Sequence, residues 1–129
     1  RTVGTGVDGQ VQFDVHRSLL PPTVPAGVVL RALGDLDMAG APRLRGAVVT
    51  EVAAGARLLV LDLTGVDHLD SAGLGVVIGA LRRLRAHDGD LRLVCPEPRL
   101  RRVFEACDLD RILDLHADVD AAVAERTVR

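Results

Sequence analysis

The sequence predicts one α/β domain, built on a mixed sheet of four or five strands with about four helices, mainly on one face of the sheet. Two observations lead to this fold class. After an initial pair of strand patterns, short apolar runs alternate with helical patterns, an order typical of a mostly parallel sheet with right-handed crossovers. The chain also has 129 residues, which is enough for one core. We expect residues 1–9 to form a flexible N-terminal tail and residues 10–126 to form the domain.

The first two strands are predicted from apolar patterns on either side of a proline-rich loop. Val11, Phe13 and Val15 alternate with polar residues, as in a half-buried strand. Residues 17–27 contain Pro21, Pro22 and Pro25, so we expect a loop there, longer than a tight hairpin. The apolar run at residues 28–33 then predicts a second strand that ends at Gly34.

The next two elements are a helix and a central strand. Pro42 suits the first turn of a helix, and Gly55 suits its C-terminal end. Between them, apolar residues recur at helical spacing. Residues 57–64 form a nearly continuous apolar run, as in a strand that is covered on both faces. We expect residues 65–70 to be a loop.

A long helix is predicted from Ser71 onward, and it is expected to end at Gly89. Its apolar stripe is formed by residues at helical spacing: Leu74, Val77, Ile78, Leu81 and Leu84. The stripe should pack against the sheet and leave Arg82, Arg83 and Arg85 largely outside the core.

The last third of the chain is predicted to contain two strands and two helices. Residues 91–95 form a short buried strand, and Pro98 opens a helix. The apolar face of this helix consists of Leu100, Val103, Phe104 and Cys107. Residues 112–115 predict the last strand, and Asp118 is expected to cap a final helix that continues to about Glu125.

Composition excludes several classes of function. Aromatic residues make up only 2% of the chain, which argues against base-stacking surfaces for nucleic acid. The net charge of −2 gives no global attraction to DNA or anionic lipid. No apolar run has the length of a membrane span, and no signal peptide is recognisable, so we expect a cytoplasmic protein without membrane contact. The only cysteines, Cys95 and Cys107, lack zinc-type spacing, and both are expected to be buried.

The segment at residues 67–75 is the candidate functional site, because it joins a buried strand to a helix N-terminus. Open α/β sheets place their sites at this edge. Ser71 is expected at or beside the N-cap, where its hydroxyl could accept a hydrogen bond from a free amide. Gly73 and Gly75 follow in the first turn, where alanine would favour the helix by up to about 1 kcal/mol each. We therefore expect both glycines to leave the backbone open to a binding partner.

Several motifs together resemble the STAS domain family, in particular its anti-sigma factor antagonists. The residues Asp70, Ser71, Ala72, Gly73, Leu74 and Gly75 resemble the Asp-Ser-(Thr/Ser/Ala)-Gly-Leu-Gly signature of that group. Residues 34–37, Gly-Asp-Leu-Asp, resemble the Gly-Glu-Leu-Asp motif at the end of its second strand. Residues 62–66 and 109–113 resemble its third strand and the approach to its last strand. The motifs occur in the expected order between Val11 and Glu125.

The resemblance implies a fold like that of the antagonist SpoIIAA and a binding switch without catalysis or a cofactor of its own. In this family, an anti-sigma factor with serine kinase activity phosphorylates the signature serine and supplies the ATP. The unphosphorylated antagonist binds that kinase and frees a sigma factor in bacterial stress response or sporulation; a serine phosphatase resets the switch. The resemblance implies that Ser71 is the phosphorylation site. It implies a partner-binding surface of Asp35, Asp37, Asp70, Ser71, Ala72, Gly73, Leu74 and Gly75 on a monomer or weak dimer.

Other interpretations of the same residues remain open at this point. Within the family, the chain could be a scaffold without a switch, or an accessory domain for lipid or anion transport. A serine hydrolase would need a base for Ser71, and His68 and His116 are the candidates, although Leu69 replaces the first glycine of the nucleophile elbow. Carboxylates at the sheet edge could hold Mg²⁺: Asp35, Asp37, Asp62, Asp67 and Asp70.

Two further sequence features have simpler explanations. The glycines at positions 4, 6 and 9 match a dinucleotide fingerprint by letter, but neither a strand nor a helix is predicted around them. Arginines of two predicted helices could form basic patches or solvated faces: Arg82, Arg83, Arg85, Arg99, Arg101 and Arg102. A solvated face is the simpler expectation, with partner contacts as the alternative.

Overall fold

A computed structural model of the chain describes residues 13–124, and strands and helices alternate along them after an initial hairpin. The strands are β1 (Asp14–Leu19), β2 (Gly27–Leu36), β3 (Leu58–Leu69), β4 (Asp90–Val94) and β5 (Leu115–His116). The helices are α1 (Ala41–Ala53), α2 (Ser71–Ala86), α3 (Pro98–Ala106) and α4 (Val119–Ala124), with a short 3₁₀ turn at Leu109–Arg111. The predicted tail, residues 1–9, and the predicted ends of the first strand and last helix, Val11 and Glu125, lie outside the described residues.

The five strands form one sheet in the order β1-β2-β3-β4-β5. β1 pairs with β2 in antiparallel orientation, and all other neighbours are parallel. This confirms the predicted mixed sheet of four or five strands. Among the described residues, no helix combines the length and the apolar character that crossing a membrane requires.

Three helices cover one face of the sheet and α4 covers part of the other, as predicted. The larger cluster of buried residues joins Leu44 of α1, Val77 of α2 and Phe104 of α3 to the sheet. On the opposite face, Ala122 of α4 packs in a smaller cluster with strand residues Val29, Val60 and Val94. The guanidinium of buried Arg92 donates from Nη1 to the carbonyl oxygen of Ala122 at 2.8 Å. This bond fixes α4 to β4.

Both ends of α1 and the start of α4 were predicted correctly, and their causes are visible. Pro42 lies in the first turn of α1, where a missing amide hydrogen costs nothing. Gly55 follows the C-cap residue Ala54 with a φ of 106°, a conformation that favours glycine. The Asp118 carboxylate accepts from the Ala121 amide at 2.8 Å, which is the predicted cap of α4.

The prediction of a strand end at Gly34 and a loop at residues 65–70 was wrong. β2 continues to Leu36 and β3 continues to Leu69, and the two strands stay paired to their ends. Gly34 adopts a φ of 100°, and the register between β2 and β3 shifts at this point. A bulge therefore replaces the expected strand end, because glycine can adopt this conformation without strain.

The predictions for the last strand and for Cys107 were also wrong. Residues 109–111 form the 3₁₀ turn, Ile112 is 47% exposed, and β5 contains only Leu115 and His116. Cys107 is exposed because α3 ends at Ala106 and Cys107 is its C-cap, whereas Cys95 is buried as expected. The apolar residues of this region belong to a turn and not to a strand.

The buried side of α2 differs in part from the predicted stripe. Val77, Leu81 and Leu84 are buried as expected, but Leu74 and Ile78 are only half-buried. The remaining buried positions are those of small residues and one valine: Gly73, Val76 and Ala80. The helix is thus rotated toward α1, and it ends at Ala86, three residues before Gly89.

Candidate functional site

The candidate site lies at the edge where β2 and β3 end together. The strand register places Asp35 beside His68 and Leu36 beside Leu69. The backbone amide of Asp70 then donates to the Leu36 carbonyl oxygen at 3.4 Å. These contacts bring the segment after β2 next to the start of α2. The predicted site residues of the two segments are therefore neighbours in the fold.

Asp70, and not Ser71, is the N-cap of α2. Its Oδ1 accepts from the backbone amides of Ala72 at 2.9 Å and Gly73 at 3.2 Å. The expected capping role of Ser71 is therefore wrong. Ser71 is the first residue of the helix and is exposed, and within residues 13–124 its hydroxyl has no hydrogen-bond partner. Capping explains the carboxylate at position 70, and the Ser71 hydroxyl is not needed for it.

The two glycines after Ser71 have different roles, although the sequence suggested one role for both. Gly73 is buried, and a Cβ there would collide with the carbonyl oxygen of Leu36 and meet the Leu69 side chain at 2.7 Å. Gly73 thus permits close packing of α2 on the end of β2. Gly75 is exposed, and a Cβ there would have no heavy atom within 4 Å. Only Gly75 opens the helix backbone to a partner.

Asp37 shapes the turn between β2 and α1. Its Oδ1 accepts from the backbone amides of Ala39 and Gly40, each at 3.0 Å. Asp35 is exposed at the same edge, and so is the neighbouring Met38, which is 79% exposed. The sequence predicted a docking surface that includes the sheet edge from Asp35 to Met38, and the exposure of both residues is consistent with that expectation.

The carboxylates do not form a magnesium site. Asp62 lies on the strand itself, where its Oδ2 is 3.2 Å from Nε of Arg31 and its Oδ1 accepts from the Thr64 hydroxyl at 2.6 Å. The carboxylates of Asp37 and Asp70 accept hydrogen bonds from backbone amides. Across residues 13–124, no three His, Cys, Asp or Glu side chains gather as a metal site would require.

A hydrolase site is not assembled around Ser71. A catalytic serine needs a base within hydrogen-bond reach, and no histidine in the described part of the chain bonds to its hydroxyl. His68 is exposed on β3, while His116 lies on β5, beyond β4 in the sheet.

Two arginines of α3, which the sequence placed on a basic patch or a solvated face, donate hydrogen bonds to backbone carbonyl oxygens. Arg99 donates to the carbonyl oxygen of Asp67 at 2.8 Å, and Arg101 donates to that of Cys95 at 3.3 Å.

The electrostatics of the edge are acidic around the exposed hydroxyl. Four carboxylates belong to the segments that meet there: Asp35, Asp37, Asp67 and Asp70. Within residues 13–124, none of these four forms an ion pair. An added anion at Ser71 would therefore meet negative charge on its own molecule, offset by the positive end of the α2 dipole.

Comparison with known proteins identifies what this arrangement is similar to. The sequence profile of the STAS domain matches residues 20–122. The anti-sigma-B factor antagonist of Bacillus subtilis is 34% identical over 90 residues, covering 70% of this chain and 82% of the relative. A crystal structure of an anti-sigma factor antagonist from Mycobacterium paratuberculosis has a TM-score of 0.76 and 26% identity, covering 92% of this chain and 95% of that one.

Structures of the antagonist SpoIIAA are similar in two states. The unphosphorylated form has a TM-score of 0.71 at 26% identity, covering 85% of this chain and 93% of that one. The phosphorylated form from Bacillus has a TM-score of 0.66 at 26% identity, covering 85% and 96%. Both states of that protein thus share the architecture described here.

Proposed function

Because the chain belongs to the STAS domain family, as an anti-sigma factor antagonist, we propose that phosphorylation of Ser71 switches its binding to an anti-sigma factor. The relatives are regulatory binding proteins rather than enzymes. In this proposal the partner is a serine kinase that brings its own ATP, and a serine phosphatase reverses the modification. The unphosphorylated chain binds the kinase in the bacterial cytoplasm and releases a sigma factor.

The observation that carries the proposal is the exposed and unused hydroxyl of Ser71. A serine hydroxyl that a kinase phosphorylates must reach the active site of that kinase. A hydroxyl that capped the helix would be held by its hydrogen bond and would resist phosphorylation. Asp70 holds the amides of Ala72 and Gly73 instead. A phosphoryl group on Ser71 therefore removes no bond from the fold. The proposed binding surface extends over the same edge: Asp35, Asp37, Asp70, Ser71, Ala72, Gly73, Leu74 and Gly75.

Release of the partner follows from charge. A phosphoserine carries about −1.5 to −2 charges at pH 7. It would stand beside the Asp70 carboxylate, at an edge that also carries Asp35 and Asp37. Burying a dianion there against a docked partner, without a cation to pair with it, costs several kcal/mol. About 2.8 kcal/mol already weakens binding a hundredfold. The phosphorylated form is therefore expected to dissociate.

The experiment combines modification with binding. The chain is incubated with ATP and each anti-sigma factor kinase of its own genome, and intact-mass analysis detects the phosphoryl group. Ser18 is the matched control, because it is the only other serine, is exposed, and lies on β1. We expect Ser71→Ala to abolish modification and Ser18→Ala to leave it intact.

Binding is measured with the same kinases by calorimetry. We expect Ser71→Ala to bind as tightly as the parent chain and Ser71→Asp to bind about a hundredfold more weakly. If the parent chain binds a kinase but is never phosphorylated, and Ser71→Asp binds equally well, the chain is a scaffold without a switch. That outcome would refute the proposal while leaving the antagonist family assignment in place.

A further inference from the structure

The exposed surface of α1 and α2 is basic, although the whole chain has a net charge of −2. The exposed charged residues of both helices are all arginines: Arg43, Arg45, Arg82, Arg83 and Arg85. The one acidic residue of these helices, Glu51, is buried and accepts two hydrogen bonds from Arg17. Arg85 lies 3.6 Å from Asp90. The remaining four arginines form no ion pair within residues 13–124.

Two of these arginines border a groove between the helices. The groove has a volume of about 90 Å³, with Arg45 of α1 and Arg83 of α2 among its lining residues. Gly75 and Gly79 of α2 form part of its wall. A Cβ at either glycine would have no heavy atom within 4 Å, so no residue in the described part of the chain fills this space. Another backbone can approach α2 closely here.

One inclined row of neighbouring residues on α2 connects the proposed phosphorylation site to the groove. Ser71, Gly75, Gly79 and Arg83 follow one another at intervals of four residues, and residues at this spacing are neighbours on a helix surface. Twelve residues of helix span about 18 Å. A partner that contacts Ser71 can therefore reach Arg83 with a helical segment of about three turns.

We propose that this groove binds an acidic helix of the anti-sigma factor, with Arg45 and Arg83 as the residues that recognise its carboxylates. The inference rests on the proposed function, because it concerns the same partner. Arginine pairs with carboxylates through two parallel hydrogen bonds, which gives both strength and geometric selectivity. The glycines permit the helix to lie close enough for these bonds. Nucleic acid is a poorer occupant, since the only aromatic residues, Phe13 and Phe104, are buried and cannot stack on bases.

The acidic edge and the basic groove together orient the partner. Asp35 and Asp70 lie at the N-terminal end of α2, and Arg83 lies three turns away. A partner with its acidic helix over the groove keeps that helix away from the carboxylates at the N-terminal end of α2. The reverse orientation would place the acidic helix against Asp35 and Asp70, and such like-charge contacts cost several kcal/mol in an interface.

The first test removes the charge of the groove. The probe is the anti-sigma factor kinase that binds the parent chain, and the double variant carries Arg45→Glu and Arg83→Glu. We expect its affinity to fall at least about tenfold, through faster dissociation as well as slower association, and its dependence on salt between about 50 and 500 mM to become weaker. Arg102→Glu is the matched control, because Arg102 is exposed on α3 outside the groove, and its affinity should stay close to that of the parent.

The second test fills the groove without changing charge. Gly79→Leu adds a side chain to the groove wall, and urea unfolding verifies that the fold is retained. Gly46→Leu is its control, because Gly46 is an exposed glycine of α1 with equally open surroundings but outside the groove. We expect Gly79→Leu to weaken kinase binding about tenfold and Gly46→Leu to leave it unchanged.

The outcomes separate this inference from the proposed function. If a kinase binds the parent chain and both groove variants equally well, the groove is not its docking site, and the Ser71 switch still stands. If no kinase of the genome binds, the proposed function fails, and a helical peptide of glutamate and alanine repeats becomes the probe. That peptide should shift the amide NMR signals of Gly75 and Gly79, and a lysine-containing counterpart should not. Binding of DNA or anionic vesicles in place of the peptide would overturn the acidic helix as occupant.

Discussion

At the scale of single residues, four consecutive positions of the signature have four distinct tasks. Asp70 caps α2, Ser71 presents its hydroxyl, Ala72 contributes an amide to the cap, and Gly73 lets the helix touch β2. The sequence identified the segment and its exposed serine position. It could not assign the cap, because aspartate and serine are equally good N-caps and stand side by side. Only the backbone conformation decides between them.

The difference between the two glycines predicts opposite effects of alanine. Gly73→Ala should destabilise the fold by about 1–3 kcal/mol, because the added methyl group collides with the Leu36 carbonyl oxygen and α2 must shift. Gly75→Ala should stabilise it by up to about 1 kcal/mol, since the position is open and alanine favours the helix. Urea unfolding of the two variants measures both effects. Equal effects would contradict the separate roles of these glycines.

The two cysteines should differ in reactivity and in their effect at high pH. Burial raises the pKa of the Cys95 thiol from its ordinary 9.0 to about 11, so the fold favours the neutral thiol. We expect a thiol reagent at pH 8 to label exposed Cys107 quickly and Cys95 only after unfolding.

The raised pKa of Cys95 also predicts how stability depends on pH. Its contribution is fully present below pH 9 and is lost as the pH rises through about 11, because the unfolded chain then releases the proton first. Urea unfolding between these pH values should therefore show a steeper loss of stability for the parent chain than for Cys95→Ala. Parallel pH profiles would show that Cys95 is not the group responsible.

At the scale of elements, the extended pairing of β2 and β3 builds the site. The apolar runs of both strands were recognisable in the sequence, but polar residues and glycines interrupt the last parts of both strands, which therefore resemble a loop. A strand that continues through such residues is held by its neighbour's backbone, and pairing partners distant in sequence leave no local signal. The same reason applies to β5, whose two residues are strand only because they lie beside β4.

The bulge at Gly34 should be essential for the geometry of the edge. Gly34→Ala places a side chain at a φ of 100°, which costs about 1–3 kcal/mol. We expect lower stability in urea and, in addition, weaker binding of the anti-sigma factor, because Asp35 and the Leu36 contact with Asp70 follow directly. Gly55→Ala provides a comparison, since Gly55 has a similar φ of 106° but lies at the opposite end of α1. It should lower stability without a separate loss of binding.

At the scale of the whole molecule, fold class and sheet topology were predictable, because they depend on patterns repeated over many residues. The alternation of strands and helices after a hairpin predicted the mixed sheet. The wrong prediction of a strand where the 3₁₀ turn lies did not change the predicted fold class. The candidate site was predictable as a segment, since a buried strand and a helix start define it. The basic groove was not, because Arg45 and Arg83 are far apart in sequence and meet only through the packing of α1 on α2.

The exposed position of Ser71 predicts that the proposed modification leaves the fold intact. Ser71→Asp changes an exposed side chain that makes no hydrogen bond in the described part of the chain, so its free energy of unfolding should stay within about 0.5 kcal/mol of the parent value. Urea unfolding and circular dichroism check this. A loss of several kcal/mol would mean that weaker kinase binding reflects damage to the fold.

The cap formed by Asp70 has a further consequence for signalling. Since Asp70 already binds the amides of Ala72 and Gly73, a phosphate on Ser71 does not compete for these two amides and a dephosphorylated serine loses no bond to them. In the proposed switch, the cap at Asp70 therefore gives the fold no hydrogen bond that depends on the covalent state of Ser71. The proportion of phosphorylated molecules would then follow the relative rates of the kinase and the phosphatase.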